Sequence, residues 1–132
     1  MRHISDPVIL TTIPHVFPAL ITLICGNKYY SIIIFFSTTL SILWHTLKEP
    51  KNWIMKLDYL ISGIWFIFDI YFSIITNKKI IIILNVFSLL MNYICDWLAY
   101  KKVINYDASH SIWHIVNVIK STLIVLIIFL RM

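Results

Sequence analysis

Residues 53–76, WIMKLDYLISGIWFIFDIYFSIIT, are separated from a second apolar stretch at 80–100 by Asn77-Lys78-Lys79. A helix that crosses a bilayer needs about 20 mostly apolar residues, because its backbone polar groups must be satisfied within the segment. Both stretches have that length, and the three polar residues between them fit a tight turn. The sequence therefore predicts a hairpin of two membrane-spanning helices.

The same composition extends along the whole chain. Its 132 residues are 60% hydrophobic and 13% charged, whereas a soluble domain carries about 25% charged residues. Cutting the chain at its polar breaks predicts helices over residues 8–25, 29–47, 53–76, 80–100 and 109–130. The expected fold class is all-α: one transmembrane domain over residues 1–132, a multi-pass bundle of about five helices.

The charge and cysteine patterns narrow the function classes. The net charge of +5 comes from Lys and Arg residues between the apolar runs, where basic residues act as membrane anchors and topology signals. No phosphate loop, serine-hydrolase elbow or nucleic-acid motif is present, so membrane lipid is the expected partner and nucleic acid is not. Cys25 and Cys95 are predicted near opposite membrane faces, and we expect no disulfide between them.

Following the predicted helices across the membrane brings ionisable residues to one shallow layer. The second helix ends, the third begins, the fourth ends and the fifth begins at the same face, named here the site face. At 1.5 Å rise per residue, His45, Asp58 and Asp96 lie ~5 to ~7 Å inside it. His110 and His114 lie ~2 to ~8 Å inside it. Ionisable residues within membrane segments are costly and indicate function by default.

The spacing within this layer fits a metal site. His110 and His114 are four residues apart and share a helix face, as do Ser41 and His45. Three imidazoles leave a fourth position for water in tetrahedral zinc. The predicted zinc ligands are therefore His45, His110 and His114, with Asp58 orienting the water or moving its proton. Ser41 would hold a ligand or a substrate oxygen in place.

Each of these residues also has a simpler interpretation. A single His near a helix end is most often an interfacial residue, and the whole set could be ordinary interfacial groups. Asp96 can extend to the face beside Lys101 and Lys102, so it is only a reserve ligand. His15, between two prolines, is predicted at a different depth from the layer as a packing or kink residue. His3 lies in the terminus, and neither of these two is a site candidate.

Asp69 and Lys120 are predicted deeper in the membrane, at similar depth on the third and fifth helices. An unpaired charge there is unfavourable. We therefore expect the two side chains to form an ion pair, directly or through a polar group such as Asn117.

Ser41-x3-His45, Asp58 in the next helix and His110-x3-His114 together resemble the CREST superfamily. That superfamily includes alkaline ceramidases, adiponectin and progestin receptors, GPI-lipid remodelling proteins and myomaker. The likeness covers residues 11–70 and 107–118. It is closer to the myomaker and GPI-processing branch, through Ile13-Pro14, Phe36-Ser37, Leu57-Asp58-Tyr59 with Ser62 and Trp65, and His110-Ser111-Ile112-Trp113-His114.

The resemblance implies a zinc ion on the three His positions, with the Asp and Ser contacting water or substrate. It implies a metal-dependent hydrolase of lipid amide or ester bonds. The alternative is a non-enzymatic, myomaker-like protein of membrane remodelling or fusion, in which the zinc is structural. The family has seven helices and this chain has room for five. Losing two helices preserves parity, so the three histidines still reach one face.

Basic residues predict the orientation of the bundle. The positive-inside rule favours a cytoplasmic site face and amino terminus. The site face carries Arg2, Lys48, Lys51, Lys56, Lys101 and Lys102, and the opposite face carries Lys28, Lys78, Lys79 and Arg131.

Overall fold

The computed structural model describes residues 1, 3 and 5–129, and its five helices confirm the predicted all-α bundle. The first helix, α1, covers Pro7–Ile24 and includes a 3-10 turn at Ile13–His15. The others are α2 (Lys28–Thr46), α3 (Trp53–Ile75), α4 (Ile80–Tyr100) and α5 (Tyr106–Phe129). The start of α5 precedes the predicted one at 109. Its predicted end at residue 130, and the predicted anchors Arg2 and Arg131, lie outside the described residues.

Local signals in the sequence start and stop these helices. The side chains of Asp6 and Asn52 each accept a hydrogen bond of 3.0 Å from the backbone N–H two residues ahead. These bonds cap the first turns of α1 and α3. Asn77 adopts a left-handed φ of 53°, a conformation in which Asn is several-fold enriched. It turns the chain directly from α3 into α4, and the predicted hairpin is confirmed.

The 3-10 turn in α1 follows from its prolines. Pro14 and Pro18 lack the backbone N–H that would continue the α-helical hydrogen bonding. The turn places His15 in the interior, where its Nδ1 donates a hydrogen bond of 2.9 Å to the carbonyl oxygen of Thr12. The expected role of His15 as a packing or kink residue stays a prediction.

The helices form a closed ring. Each helix packs against the next one along the chain, and α5 also packs against α1. The helix α2 is therefore not a neighbour of α5 in the ring, and neither is α3. Side chains that join α5 to α2 or α3 must meet across the interior.

The ring is apolar outside and polar inside. Among the described residues, 17 buried side chains are polar or charged and 14 are hydrophobic, while many Ile, Leu and Phe side chains are exposed. Soluble proteins show the reverse distribution. Helices α1, α3, α4 and α5 are long and apolar enough to cross a membrane. The 19 residues of α2 span about 28 Å, with several buried hydroxyl side chains. This is the architecture of a multi-pass membrane protein.

The end of the bundle opposite the site face is closed by aromatic packing. Tyr30 at the start of α2 contacts Phe72 and Phe129, at the ends of α3 and α5, with ring centroids 5.2 and 6.4 Å apart. These three residues define the aromatic end. Since α2 starts where α3 and α5 end, the end of α2 and the start of α5 share the other face, as helix parity predicts.

Candidate metal centre

The three predicted metal ligands converge inside the ring. His45 lies in the last turn of α2, and His110 and His114 lie one turn apart in α5. The Nε2 atom of His45 is 3.0 Å from Nε2 of His114 and 3.3 Å from Nε2 of His110. One nitrogen from each ring lies within 4.8 Å of the other two. These residues, the histidine cluster, can hold a metal ion.

Two of the three separations, those of 3.0 and 3.3 Å from Nε2 of His45, suit a tetrahedral ion. Imidazole nitrogens about 2.0–2.1 Å from zinc are about 3.3 Å apart at tetrahedral angles. Hydrogen bonding among the rings is a poorer account of the cluster. Two imidazoles approach the single Nε2 lone pair of His45, and that lone pair cannot satisfy both fully. A cation would accept a lone pair from each of the three rings.

Glu49 holds His45 in this orientation. Its carboxylate oxygen lies 3.0 Å from Nδ1 of His45. A carboxylate accepts hydrogen bonds, so Nδ1 carries the proton and Nε2 directs its lone pair into the cluster. The side chain of Tyr106, at the start of α5, also interacts with Glu49. A carboxylate behind a metal-binding His fixes the tautomer and raises the basicity of the ligand.

In the sequence, Glu49 lies just beyond the predicted second helix at 29–47, and no site role is predicted for it. The backbone at Lys48 and Glu49 is left-handed, with φ values of 64° and 57°. That conformation turns the side chain of Glu49 back towards His45. The spacing of four residues between His45 and Glu49 was the available signal.

Asp58 and Ser41 line the cavity beside the histidine cluster. Asp58 is 5% exposed, and its Oδ1 has no hydrogen-bond partner among the residues that the structure describes. A buried polar atom without a partner is costly, so this oxygen has capacity for a water or a ligand. Asp58 supplies no atom to the histidine cluster, and its predicted action on a water stays a prediction, as does the role of Ser41.

Asp96 and His15 also line this cavity. Asp96 is exposed and supplies no atom to the histidine cluster. His15 packs edge-on against His114, with ring centroids 5.9 Å apart. The ring of His15 also contacts Trp65 at the same centroid distance of 5.9 Å, so His15 lies between the histidine cluster and the deeper part of the cavity. Closure of the ring between α1 and α5 brings the two imidazoles together, and helix depth alone could not predict that contact.

The cavity lies inside the ring and has a volume of about 670 Å³. It reaches from the histidine cluster to Lys120, six residues beyond His114 on α5, or about 9 Å along the helix axis. Most of its lining residues are Ser, Thr, Asn, His, Asp or Tyr. Small-molecule sites usually measure about 300–1,000 Å³ and are mainly apolar. This cavity has an ordinary size, and although most of its lining residues are polar by type, most of the surface that they present to it is apolar.

An ion pair lies at the deep end of the cavity. Nζ of Lys120 is 3.2 Å from Oδ2 of Asp69 and 3.2 Å from Oδ1 of Asn85. The hydroxyl of Tyr30 donates to the other oxygen of Asp69 and accepts a hydrogen bond of 3.2 Å from Nε1 of Trp65. This deep ion pair confirms the predicted contact between the third and fifth helices.

Fold and site together define a multi-pass membrane protein whose interior carries a histidine cluster able to hold a metal ion. No family model matches the chain, and comparisons with the curated proteins and with the solved structures find no match. The likeness to the CREST superfamily stays a prediction based on the residues quoted above.

Proposed function

We propose that the protein is a CREST-like membrane hydrolase that uses zinc to cleave amide or ester bonds of lipids. The observation that carries this proposal is a combination of three features. Imidazole nitrogens from two non-adjacent helices converge. A buried carboxylate with an unpartnered oxygen lies on the wall of the same cavity. The cavity is large enough for a ligand.

His45, His110 and His114 would hold the zinc. Zinc on three His ligands with an open position polarises a carbonyl group and lowers the pKa of a water to about 7. Structural zinc sites usually have four protein ligands. The described Asp, Glu and Cys residues add no fourth atom to the cluster, which supports a catalytic site over a closed structural one.

Asp58 and Ser41 would act on the substrate at this site. The carboxylate of Asp58 accepts a proton from the attacking water, whose oxygen forms a bond with the carbonyl carbon of the lipid. The hydroxyl of Ser41 donates a hydrogen bond to the carbonyl oxygen. The C–N or C–O bond then breaks, and the proton held by Asp58 passes to the leaving amine or alcohol. The products are a fatty acid and the remaining part of the lipid.

A second candidate is a myomaker-like role in membrane remodelling or fusion, with a structural zinc and no turnover. One observation favours it. The helices α2 and α5 are not neighbours in the ring, and the histidine cluster joins them across its interior. A bound ion would tie the two helices together without any chemistry.

The variant Asp58→Asn separates the two candidates. Zinc-loaded protein in detergent is incubated with ceramides and phospholipids, and free fatty acid is measured by mass spectrometry. We expect Asp58→Asn to keep its zinc and to lose activity at least about a hundredfold, because an amide cannot take the proton from water. Asp96→Asn, which changes the exposed carboxylate of the same cavity, is the matched control and should stay active. Unmodified protein that releases no more fatty acid than His45→Ala would favour the non-enzymatic candidate.

A further inference from the structure

The deep half of the cavity is the part around Lys120 and Ser121. It contains hydrogen-bonding groups that have no partner within the described part of the protein. Oγ of Ser121 is buried, at 1% residue exposure, and has no partner among the described residues. Ser121 lines the cavity and follows Lys120 in α5. An unsatisfied buried hydroxyl is costly. A polar group inside the cavity would complete its hydrogen bonding.

Two other side chains extend this capacity. Lys120 has three N–H donors, and its hydrogen bonds to Asp69 and Asn85 use two of them. Nδ1 of His15 donates to the carbonyl oxygen of Thr12, so Nε2 of the neutral ring keeps a lone pair. The deep half therefore offers both donors and an acceptor. Because Asp69 balances Lys120, it offers them without net charge.

The polarity of this region limits what can occupy it. An acyl chain would remove Lys120 and Ser121 from water without replacing any hydrogen bond. Because Asp69 and Lys120 form an ion pair, their charges largely cancel, and neither an anion nor a cation gains a full opposite charge there. The paired side chains of Ser88 and Asn117, 2.7 Å apart, add further polar lining. A neutral group with hydroxyl and amide functions satisfies these conditions.

We propose that the deep half of the cavity binds a neutral polar head group, about one sugar ring in size, that carries hydroxyl and amide groups. The distance of about 9 Å along α5 from His114 to Lys120 accommodates such a group. This inference deepens the proposed function: the head group of the substrate points inward and the bond to be cleaved lies at the histidine cluster. Binding of the head group itself requires neither zinc nor hydrolysis.

The test uses the full chain in detergent, both zinc-loaded and after chelation. Binding of N-acetylglucosamine and of myo-inositol is measured by saturation-transfer NMR, with octanoate as the acyl-chain probe. We expect a neutral probe to bind in both metal states, and Ser121→Ala to weaken it about fivefold, the effect of one net hydrogen bond. The matched control is Ser111→Ala, which removes another unpartnered buried hydroxyl of α5 outside the cavity lining. It should leave binding unchanged.

Two results would overturn the inference. Octanoate binding that depends on Ser121, without binding of either neutral probe, would make this region an acyl-chain site. No binding of any probe would mean that the cavity holds water only. Bound N-acetylglucosamine together with absent hydrolysis would refute the proposed function and keep the head-group site. Hydrolysis without binding of the neutral probes would refute the head-group site and keep the proposed function.

Discussion

Polar side chains from non-adjacent helices meet at two places inside the ring, the histidine cluster near the site face and the deep ion pair further in. In the deep ion pair, the two charges neutralise each other, and Asn85 and Tyr30 each add one hydrogen bond. In the histidine cluster, three nitrogens face one another, and a cation from outside would satisfy all three. In the deep ion pair the two charges balance each other within the protein, whereas the histidine cluster has the form of a metal-binding site.

Breaking the deep ion pair should have the largest effect on stability, because it leaves one unpaired charge buried in the bundle. Lys120→Met removes the cation that faces the buried carboxylate of Asp69. We expect the free energy of unfolding to fall by about 3–5 kcal/mol, measured by denaturant titration in mixed micelles. The double variant Asp69→Asn with Lys120→Met, which removes both charges, should recover most of that loss. A single variant as stable as the parent would show that Lys120 does not balance the charge of Asp69 as argued above.

The metal affinity of the histidine cluster should depend on the carboxylate of Glu49, which lies behind His45. Glu49→Gln keeps the size of the side chain but removes the negative charge 3.0 Å from Nδ1 of His45. Losing such a partner typically lowers metal affinity about 10–100-fold. Competition with a chelator of known affinity measures this loss. Asp96→Asn, a carboxylate outside the cluster, should bind zinc as the parent does, and equal affinities for the two variants would contradict the role given to Glu49.

The orientation of the bundle in the membrane can be tested without changing the histidine cluster or the deep ion pair. The predicted cytoplasmic site face places the exposed residue Lys51 inside the cell and the exposed residue Lys79 outside. In a Cys25→Ser background, which removes the exposed native cysteine, an impermeant maleimide should label Lys79→Cys in intact cells. It should label Lys51→Cys only after lysis. Labelling of Lys51→Cys in intact cells would mean that the site face lies outside the cell. Neither cysteine substitution is expected to change the stability of the protein.

The sequence alone predicts much of the bundle and the three histidines that cluster inside it. Apolar length and polar breaks locate all five helices, because a membrane leaves few other solutions for this composition. Helix rise then predicts that His45, His110 and His114 share one layer. The same depth reasoning pairs Asp69 with Lys120, since each needs a partner at its own depth.

Depth does not predict which helices are neighbours or how the loops fold back. The ring order brings His15 against His114 and Tyr30 against Asp69, and both contacts depend on tertiary packing. Glu49 reaches His45 through a left-handed loop that helix periodicity cannot show. The group that orients His45 was therefore missed, while the clustering of the three histidines was predicted.

Metal content is the most direct test of the central claim that the histidine cluster binds zinc. Protein is purified without chelator from zinc-supplemented cells, and its metal content is measured by elemental mass spectrometry. We predict about one zinc per chain, as a single three-His site requires, retained in Asp96→Asn and lost in His114→Ala. Folded, monodisperse protein without metal would contradict the account, and so would a folded His114→Ala variant that keeps its zinc.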